Sequence, residues 1–191
     1  MRVFGLTGGV GMGKSAAAKL LAERNIAVVD TDLIARQIVE PGQPALRELT
    51  VEFGAAILGS DGRLIRDKLA KIVFADEEAR RKLEAVLHPK IRAAWLHQVE
   101  LWRADNKPVA VVVIPLLFET DAAAYFDATV CVACSLKSQE ERLKARGWIM
   151  NQIEQRRRAQ WPIDKKMLCS DYVVWTEGSL EVHAEQLGRI I

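Results

Sequence analysis

The sequence predicts an α/β fold, a five-stranded parallel sheet flanked by helices. Three observations predict it. Short apolar runs alternate with helical segments along most of the 191 residues, which is typical of parallel sheets covered on both faces. A glycine-rich loop follows the first apolar run. A helical stretch from about 35 to 105 is longer than one crossover connection needs, which indicates an inserted helical subdomain.

The strands are predicted from short apolar runs, since a buried parallel strand is apolar on both faces. The first run precedes the glycine-rich loop, and the second ends in an acidic Asp-Thr-Asp sequence. The third ends at Ile114, which Pro115 holds in an extended conformation. We expect strands at 3–6, 26–29, 109–114, 129–134 and 172–175.

The helices are predicted from segments rich in Ala and Leu and from their stop signals. Pro41-Gly42 ends the second helix, and a turn at 59–62 follows the third. The helical pattern from 67 to about 103 is interrupted at 75–76 and at His88-Pro89. We expect helices at 14–24, 32–40, 44–53, 67–103, 138–146, 151–160, 164–168 and 179–189.

Composition and charge exclude several classes of protein. The net charge of +2 argues against general binding to nucleic acid. The longest apolar run, 109–118, is too short to cross a bilayer and contains Pro115. No apolar signal core precedes the glycine cluster that begins at Gly8. We therefore expect a cytoplasmic protein with no membrane or nucleic-acid partner, and nothing in the sequence implies a protein partner.

Three cysteines are present, Cys131, Cys134 and Cys169. This small, odd number argues against a disulfide framework. Cys131 and Cys134 have CxxC spacing, but a zinc site needs two further ligands and only one other cysteine exists. Their surroundings, TVCVACSL, form an apolar strand, so we interpret the pair as small hydrophobic residues.

The glycine-rich loop matches a phosphate-binding motif. Residues 8–15, GGVGMGKS, fit GxxxxGK[ST] between a strand and a helix. Glycines let main-chain N–H groups surround a triphosphate, and the helix that follows directs its positive end at the same phosphates. Lys14 supplies a full charge for the β and γ phosphates, and the Ser15 hydroxyl is placed to coordinate Mg²⁺. The predicted ATP-binding residues of the loop are Gly9, Val10, Gly11, Met12, Gly13, Lys14, Ser15 and Ala16.

A phosphate loop occurs in GTPases, ATP-driven machines and small-molecule kinases. A GTPase usually has the guanine motif NKxD, but the sequence at Asn106-Lys107 lacks its Asp. An ATP-driven machine usually has an acidic residue at the end of a strand, but the third strand is followed by Pro115. A kinase needs a carboxylate that receives or orients the proton of the acceptor hydroxyl. Asp30 and Asp32 leave the second strand at the edge expected for Lys14, and on an extended chain both would point the same way. The alternative for Asp30 is a helix cap.

A basic segment follows the fourth strand. Between 142 and 166 the chain has eight Lys or Arg and two acidic residues, and Gly147 and Pro162 divide it into short pieces. It is either a solvated helix face or a mobile lid whose arginines stabilise charge during phosphoryl transfer. Arg142 and Arg146 lie on one helix face, so they can act together. Both are candidate ATP-binding residues, and we expect at least one of them to contact ATP.

Taken together, these residues resemble the dephospho-coenzyme A kinases. The elements GLTGGVGMGKS, DTDLIAR, LHPKI, PLLFET, AQWPIDKK and SDYVV occur in the family's order and spacing, and DTDLIAR with LHPKI is specific. The resemblance implies a P-loop NTPase-type fold and transfer of a phosphoryl group from ATP, with Mg²⁺, to the ribose 3′-hydroxyl of dephospho-CoA. It also implies a core of about 1–34, 106–140 and 168–191, a helical substrate subdomain of about 35–105 and a small helical lid of about 141–167.

The resemblance assigns roles to particular residues. Asp32 is implied as the catalytic carboxylate. The other implied catalytic residues are Lys14 of the phosphate loop and Arg142, the arginine of the lid. Asp32 is also implied to bind the substrate. The other implied substrate-binding residues are His88, Leu116, Leu117 and Glu119.

The sequence departs from the family pattern at Val113, where the family often has Asp, and at Thr176, near the family's Asn. Gly147 follows Arg146 where Asp is frequent, and Met12 and Ala16 are unusual in the loop. Two alternatives remain open: a nucleotide-binding module without transfer activity, and another small-molecule kinase, such as a nucleoside monophosphate kinase.

Overall fold

Five strands and nine α-helices make up the computed structural model, which describes all of residues 1–191. The strands are β1 (Arg2–Gly8), β2 (Ala27–Asp30), β3 (Val109–Val113), β4 (Ala128–Ala133) and β5 (Tyr172–Trp175). The helices are α1 (Lys14–Glu23), α2 (Thr31–Gln37), α3 (Pro44–Phe53), α4 (Arg66–Ala75), α5 (Glu77–Ala104), α6 (Leu136–Ala145), α7 (Met150–Arg158), α8 (Ile163–Cys169) and α9 (Leu180–Gly188). None of the helices combines the length and the apolar character needed to cross a membrane.

The chain forms two compact units. The first contains Met1–Asp30 and Val99–Ile191, and the second contains Thr31–Gln98. The first unit holds the whole sheet, and the second holds α2, α3, α4 and most of α5.

The sheet confirms the predicted α/β architecture. Its strand order is β2-β3-β1-β4-β5, and every pairing is parallel. Because the strands are parallel, their carboxyl ends share one edge, from which β1 leads into the glycine-rich loop. The register brings Leu6 and Asp30 level with Val113, on either side of β3.

The core of the first unit lies between the sheet and its flanking helices. Ala17 and Leu21 of α1 and Leu187 of α9 are fully buried against Phe4 of β1 and its neighbours. Cys131 of β4 is fully buried too, and burial raises the pKa of its thiol to about 11. Cys134 is also buried, so the interpretation of this pair as small hydrophobic residues is confirmed.

The second unit corrects one prediction. The expected interruption at His88-Pro89 is wrong, because α5 is helical from Glu77 to Ala104 with Pro89 inside it. Proline removes one N–H donor, which leaves the carbonyl of Ala85 without its helical partner. Pro89 and Ala85 are both exposed, so water can satisfy that carbonyl.

Candidate active site

The glycine-rich loop joins β1 to α1 within the first unit. Its backbone requires glycine at Gly11 and Gly13, whose φ values of 74° and 102° lie in the left-handed region. A Cβ atom on Gly11 would also lie only 2.8 Å from the side chain of Leu143. Gly13 caps the N-terminus of α1, so the first N–H groups of that helix face the loop. The loop therefore has the main-chain geometry of an anion site.

Lys14 places a full positive charge on this loop. Its Nζ atom donates to the carbonyl oxygens of Gly8 at 2.7 Å and Gly9 at 2.9 Å. The next residue, Ser15, is exposed in the first turn of α1, so its hydroxyl can reach a ligand. Met12 has 2% of its surface exposed, so this unusual residue packs into the protein interior.

Arg142 of α6 is connected to the loop through Thr176. Its guanidinium donates to the Thr176 hydroxyl at 2.8 Å and to the Thr176 main-chain oxygen. The Thr176 hydroxyl in turn donates to the main-chain oxygen of Met12 at 3.1 Å. The residue that departs from the family pattern therefore joins Arg142 to the phosphate loop, a connection that sequence reasoning missed.

Arg146 lies in a different environment from Arg142. It is the residue that follows the last turn of α6, and it is exposed to solvent. Its guanidinium makes no ion pair in the structure, whereas that of Arg142 is half-buried against Thr176. The structure thus brings Arg142, and not Arg146, into the hydrogen-bond network of the loop.

A buried ion pair lies beside the turn after β3. Lys166 of α8 is fully buried, and its Nζ atom lies 2.8 Å from the Glu119 Oε1 atom and 2.5 Å from the Pro115 carbonyl. Glu119 Oε1 also accepts from the main-chain N–H of Trp161 at 2.8 Å. Its other oxygen, Oε2, is buried without a hydrogen-bond partner. Glu119 therefore attaches the chain at 161–166 to the end of β3.

The two leucines of the same turn have different surroundings. Leu117 is fully buried, and its side chain packs so closely on β1 that a Cβ atom at Gly5 would lie 2.6 Å from it. Leu116 is half-buried, and its carbonyl accepts from the Thr120 hydroxyl at 2.8 Å. Leu117 thus contributes to the core, and Leu116 lies nearer the surface.

The two acidic residues after the second strand do not share an extended segment. Asp30 is the last residue of β2, but α2 begins at Thr31, so Asp32 lies in the first turn of a helix. The prediction that both side chains leave an extended chain in the same direction is therefore wrong. Asp32 is exposed and lies in the first turn of α2, near the positive end of that helix.

His88 lies within α5 in the second unit. It lines a surface cavity with its helical neighbours Pro89, Arg92, Ala93 and Leu96. Burial lowers the pKa of His88, the charge of Arg92 lowers it further, and Glu84 opposes this shift. The imidazole is therefore neutral at pH 7 and can accept as well as donate a hydrogen bond.

Magnesium would have few protein ligands at this site. The structure contains no group of three or more His, Cys, Asp or Glu residues able to hold a metal ion. The Ser15 hydroxyl is a hard oxygen ligand of the kind Mg²⁺ prefers, and Mg²⁺ usually takes its other ligands from water and substrate phosphates. The residues present therefore fit a magnesium ion that arrives with a nucleotide.

Comparison with known proteins gives consistent matches over nearly the whole chain. The sequence profile of the dephospho-CoA kinase family matches residues 2–181. A dephospho-CoA kinase from Anaeromyxobacter dehalogenans is 43% identical over 192 residues, covering 100% of this chain and 91% of that protein. Another, from Bdellovibrio bacteriovorus, is 41% identical over 191 residues, covering 100% and 95%. A crystal structure from Thermus thermophilus has a TM-score of 0.85 at 34% identity, covering 99% of this chain and 95% of that one.

Proposed function

The chain belongs to the dephospho-CoA kinase family, and we propose that Lys14, Asp32 and Arg142 carry its transfer of a phosphoryl group from ATP to the ribose 3′-hydroxyl of dephospho-CoA. The observation that carries this assignment is the phosphate loop. Its backbone depends on glycines in the left-handed region, and the Lys14 ammonium donates to the carbonyl oxygens of Gly8 and Gly9.

The donor side of the reaction is assigned to the first unit. The loop's N–H groups and the N-terminus of α1 bind the phosphates, and Lys14 neutralises charge on the β and γ groups. Arg142, attached to the loop through Thr176, stabilises the charge that develops on the transferred group. Ser15 would hold Mg²⁺, which when bound neutralises further charge on the phosphate oxygens. Arg146 is assigned a weaker, solvent-exposed contact with ATP.

The acceptor side is assigned to Asp32. An exposed carboxylate in the first turn of α2 can accept a proton from a ribose hydroxyl as that oxygen attacks the γ-phosphorus. His88, Leu116 and Glu119 are the proposed acceptor contacts, with Leu117 supporting the turn from the core. We also propose a cytoplasmic location, because the enzyme draws on the ATP pool of the cell.

An acceptor-dependent assay of ADP release tests the function. Dephospho-CoA, AMP and adenosine are compared as acceptors, and we expect turnover with dephospho-CoA alone. Turnover with AMP instead would favour a nucleoside monophosphate kinase. ATP binding without turnover on any acceptor would favour a binding module that lacks transfer activity.

Asp32→Asn tests the assignment of the general base. We expect a loss of at least about 100-fold in kcat with the Kd of ATP nearly unchanged, because the amide cannot take the proton. Asp67→Asn is the matched control, since Asp67 is also an acidic residue in the first turn of a helix of the second unit. A parallel loss of ATP affinity in Asp32→Asn, or equal kcat in the two variants, would contradict the assignment.

A further inference from the structure

Gln139 of α6 is a polar side chain that the donor and acceptor assignments do not use, although it lies against the phosphate loop. Only 2% of its surface is exposed. Its Nε2 atom donates to the main-chain oxygen of Val10 at 2.7 Å. Its Oε1 atom accepts from the Nε atom of Arg157 in α7, also at 2.7 Å. Both ends of the amide are therefore occupied.

The chemistry of the two partners determines the orientation of this amide. A carbonyl oxygen only accepts, and a guanidinium only donates. A single orientation of the Gln139 amide satisfies both groups, and a carboxylate or an apolar side chain of similar size would lose at least one of the contacts. A buried amide of this kind is costly when half of its hydrogen bonds are missing.

The main-chain N–H of Val10 is also bound, by a residue that follows α7. This N–H donates to the Oε1 atom of Gln160, two residues after the end of α7, at 3.1 Å. Arg157 is held in turn by Glu140 at 3.1 Å and by the carbonyl of Leu136 at 3.3 Å. The Gln160 main-chain N–H donates to the Arg157 main-chain oxygen at 3.2 Å. The contacts therefore form a closed ring from Val10 through Gln139, Arg157 and Gln160 back to Val10, which we call the Val10 ring.

We propose that Gln139 is a positioning residue of the kinase. It joins the phosphate loop to α7 and keeps the two in a fixed arrangement when ATP binds. The predicted effect on the KM values rests on the proposed function, whereas the predicted effect on the Kd of ATP does not. Gln139 acts through Val10, a residue of the loop, and through Arg157. Holding Val10 at both its N–H and its carbonyl pre-organises the loop, and a pre-organised site binds its ligand more tightly.

The experiment compares ATP binding by Gln139→Met, Gln139→Glu, Arg157→Met and the wild type. Gln139→Met removes both contacts, and Gln139→Glu keeps an acceptor for Arg157 while it places negative charge against the Val10 carbonyl. Calorimetry measures the Kd of ATP, and steady-state assays measure KM for each substrate. We expect both Gln139 variants to raise the Kd and the KM of ATP about tenfold and to leave the KM of dephospho-CoA within twofold.

Arg158→Met is the matched control. Arg158 is the neighbour of Arg157 on α7, but its side chain is 84% exposed and lies 3.9 Å from Glu154 in a surface ion pair. Loss of this charge is expected to change the Kd of ATP by less than twofold, whereas Arg157→Met is expected to raise it about threefold. The double variant Gln139→Met/Arg157→Met should bind ATP no more weakly than Gln139→Met, because both changes open the same ring.

Three results would overturn the proposal. These are equal effects of Arg157→Met and Arg158→Met, additive effects of Gln139→Met and Arg157→Met, and equal shifts of KM for ATP and dephospho-CoA. If Gln139→Met does not fold, Gln139→Glu and the two arginine variants decide the same question. A wild type that fails to phosphorylate dephospho-CoA would refute the proposed function, and the binding measurements would still test the ring.

Discussion

The phosphate loop and the chain from 157 to 166 lie in the same unit, but the first acts through main-chain groups and the second through side chains. The loop works through its main chain, with Gly11 and Gly13 in the left-handed region. The chain from 157 to 166 works through long side chains, since Arg157, Gln160 and Lys166 each reach a residue far away in sequence. A main-chain site depends on local conformation, whereas a side-chain site depends on charges and amides that are buried together.

The largest effect is expected where the loop does use a side chain. Lys14→Ala should lower kcat/KM about 1,000-fold and weaken ATP binding as well, because the main-chain N–H groups alone cannot replace a full charge on the transferred phosphate. Lys19→Ala, on the same helix with its side chain 79% exposed, is the control and should stay within twofold. Near-normal kinetics of the Lys14 variant would mean that the loop binds phosphate through its main chain alone.

A large effect on stability is expected at Lys166. Lys166→Met leaves the Glu119 carboxylate buried without its counter-ion, which costs about 3 kcal/mol of unfolding free energy. Urea denaturation measures the loss. In the double variant Lys166→Met/Glu119→Gln part of the stability should return, because no unpaired charge remains.

The neighbouring lysine sharpens this comparison. Lys165 is exposed, with its Nζ atom 3.2 Å from the centre of the Trp161 ring. Lys165→Met should cost less than about 1 kcal/mol, because a cation–π contact in water is weak. A loss as large as that of Lys166→Met would show that the whole basic segment, and not one buried pair, stabilises this part of the fold.

The smallest expected effect concerns pH. His183 of α9 is 3% exposed, and its Nε2 atom has no hydrogen-bond partner. Burial lowers the pKa of His183, and the nearby positive charge of Arg142 lowers it further. In the unfolded chain His183 binds a proton near pH 6.5, whereas in the folded chain it binds one only at lower pH. The free energy of unfolding should therefore fall as the pH drops from 7.5 to 5.5.

His183→Gln should reduce this pH dependence, as measured by urea denaturation at several pH values, and His88, whose pKa burial also lowers, should supply part of the slope that remains. The exposed His97 provides the control, and His97→Gln should leave the slope as it is in the wild type. An unchanged slope in the His183 variant would assign the pH dependence to other groups.

Most elements of the fold were predictable because their signals are local. The bounds of α3 and β5 agree with the prediction, and Gly147 and Pro162 do separate α6, α7 and α8. At two positions the structure differs from what the local pattern predicts. His88-Pro89 predicts an interruption, but α5 continues through Pro89 although the proline removes one hydrogen bond and its ring crowds the preceding turn. The Asp-Thr-Asp sequence predicts Asp32 on an extended chain, but α2 begins at Thr31. The roles of Asp32 and His88 stay predictions.

The sequence by itself determined the strand–loop–helix unit around Lys14, because glycine spacing and apolar runs act over a few residues. Only the tertiary structure decided which members of the basic segment are buried. In that segment, Lys166 reaches a carbonyl 51 residues away, and just before the segment Gln139 reaches one 129 residues away. A run of lysines and arginines reads the same whether it faces water or a buried carboxylate, since the difference lies in what the rest of the chain brings next to it.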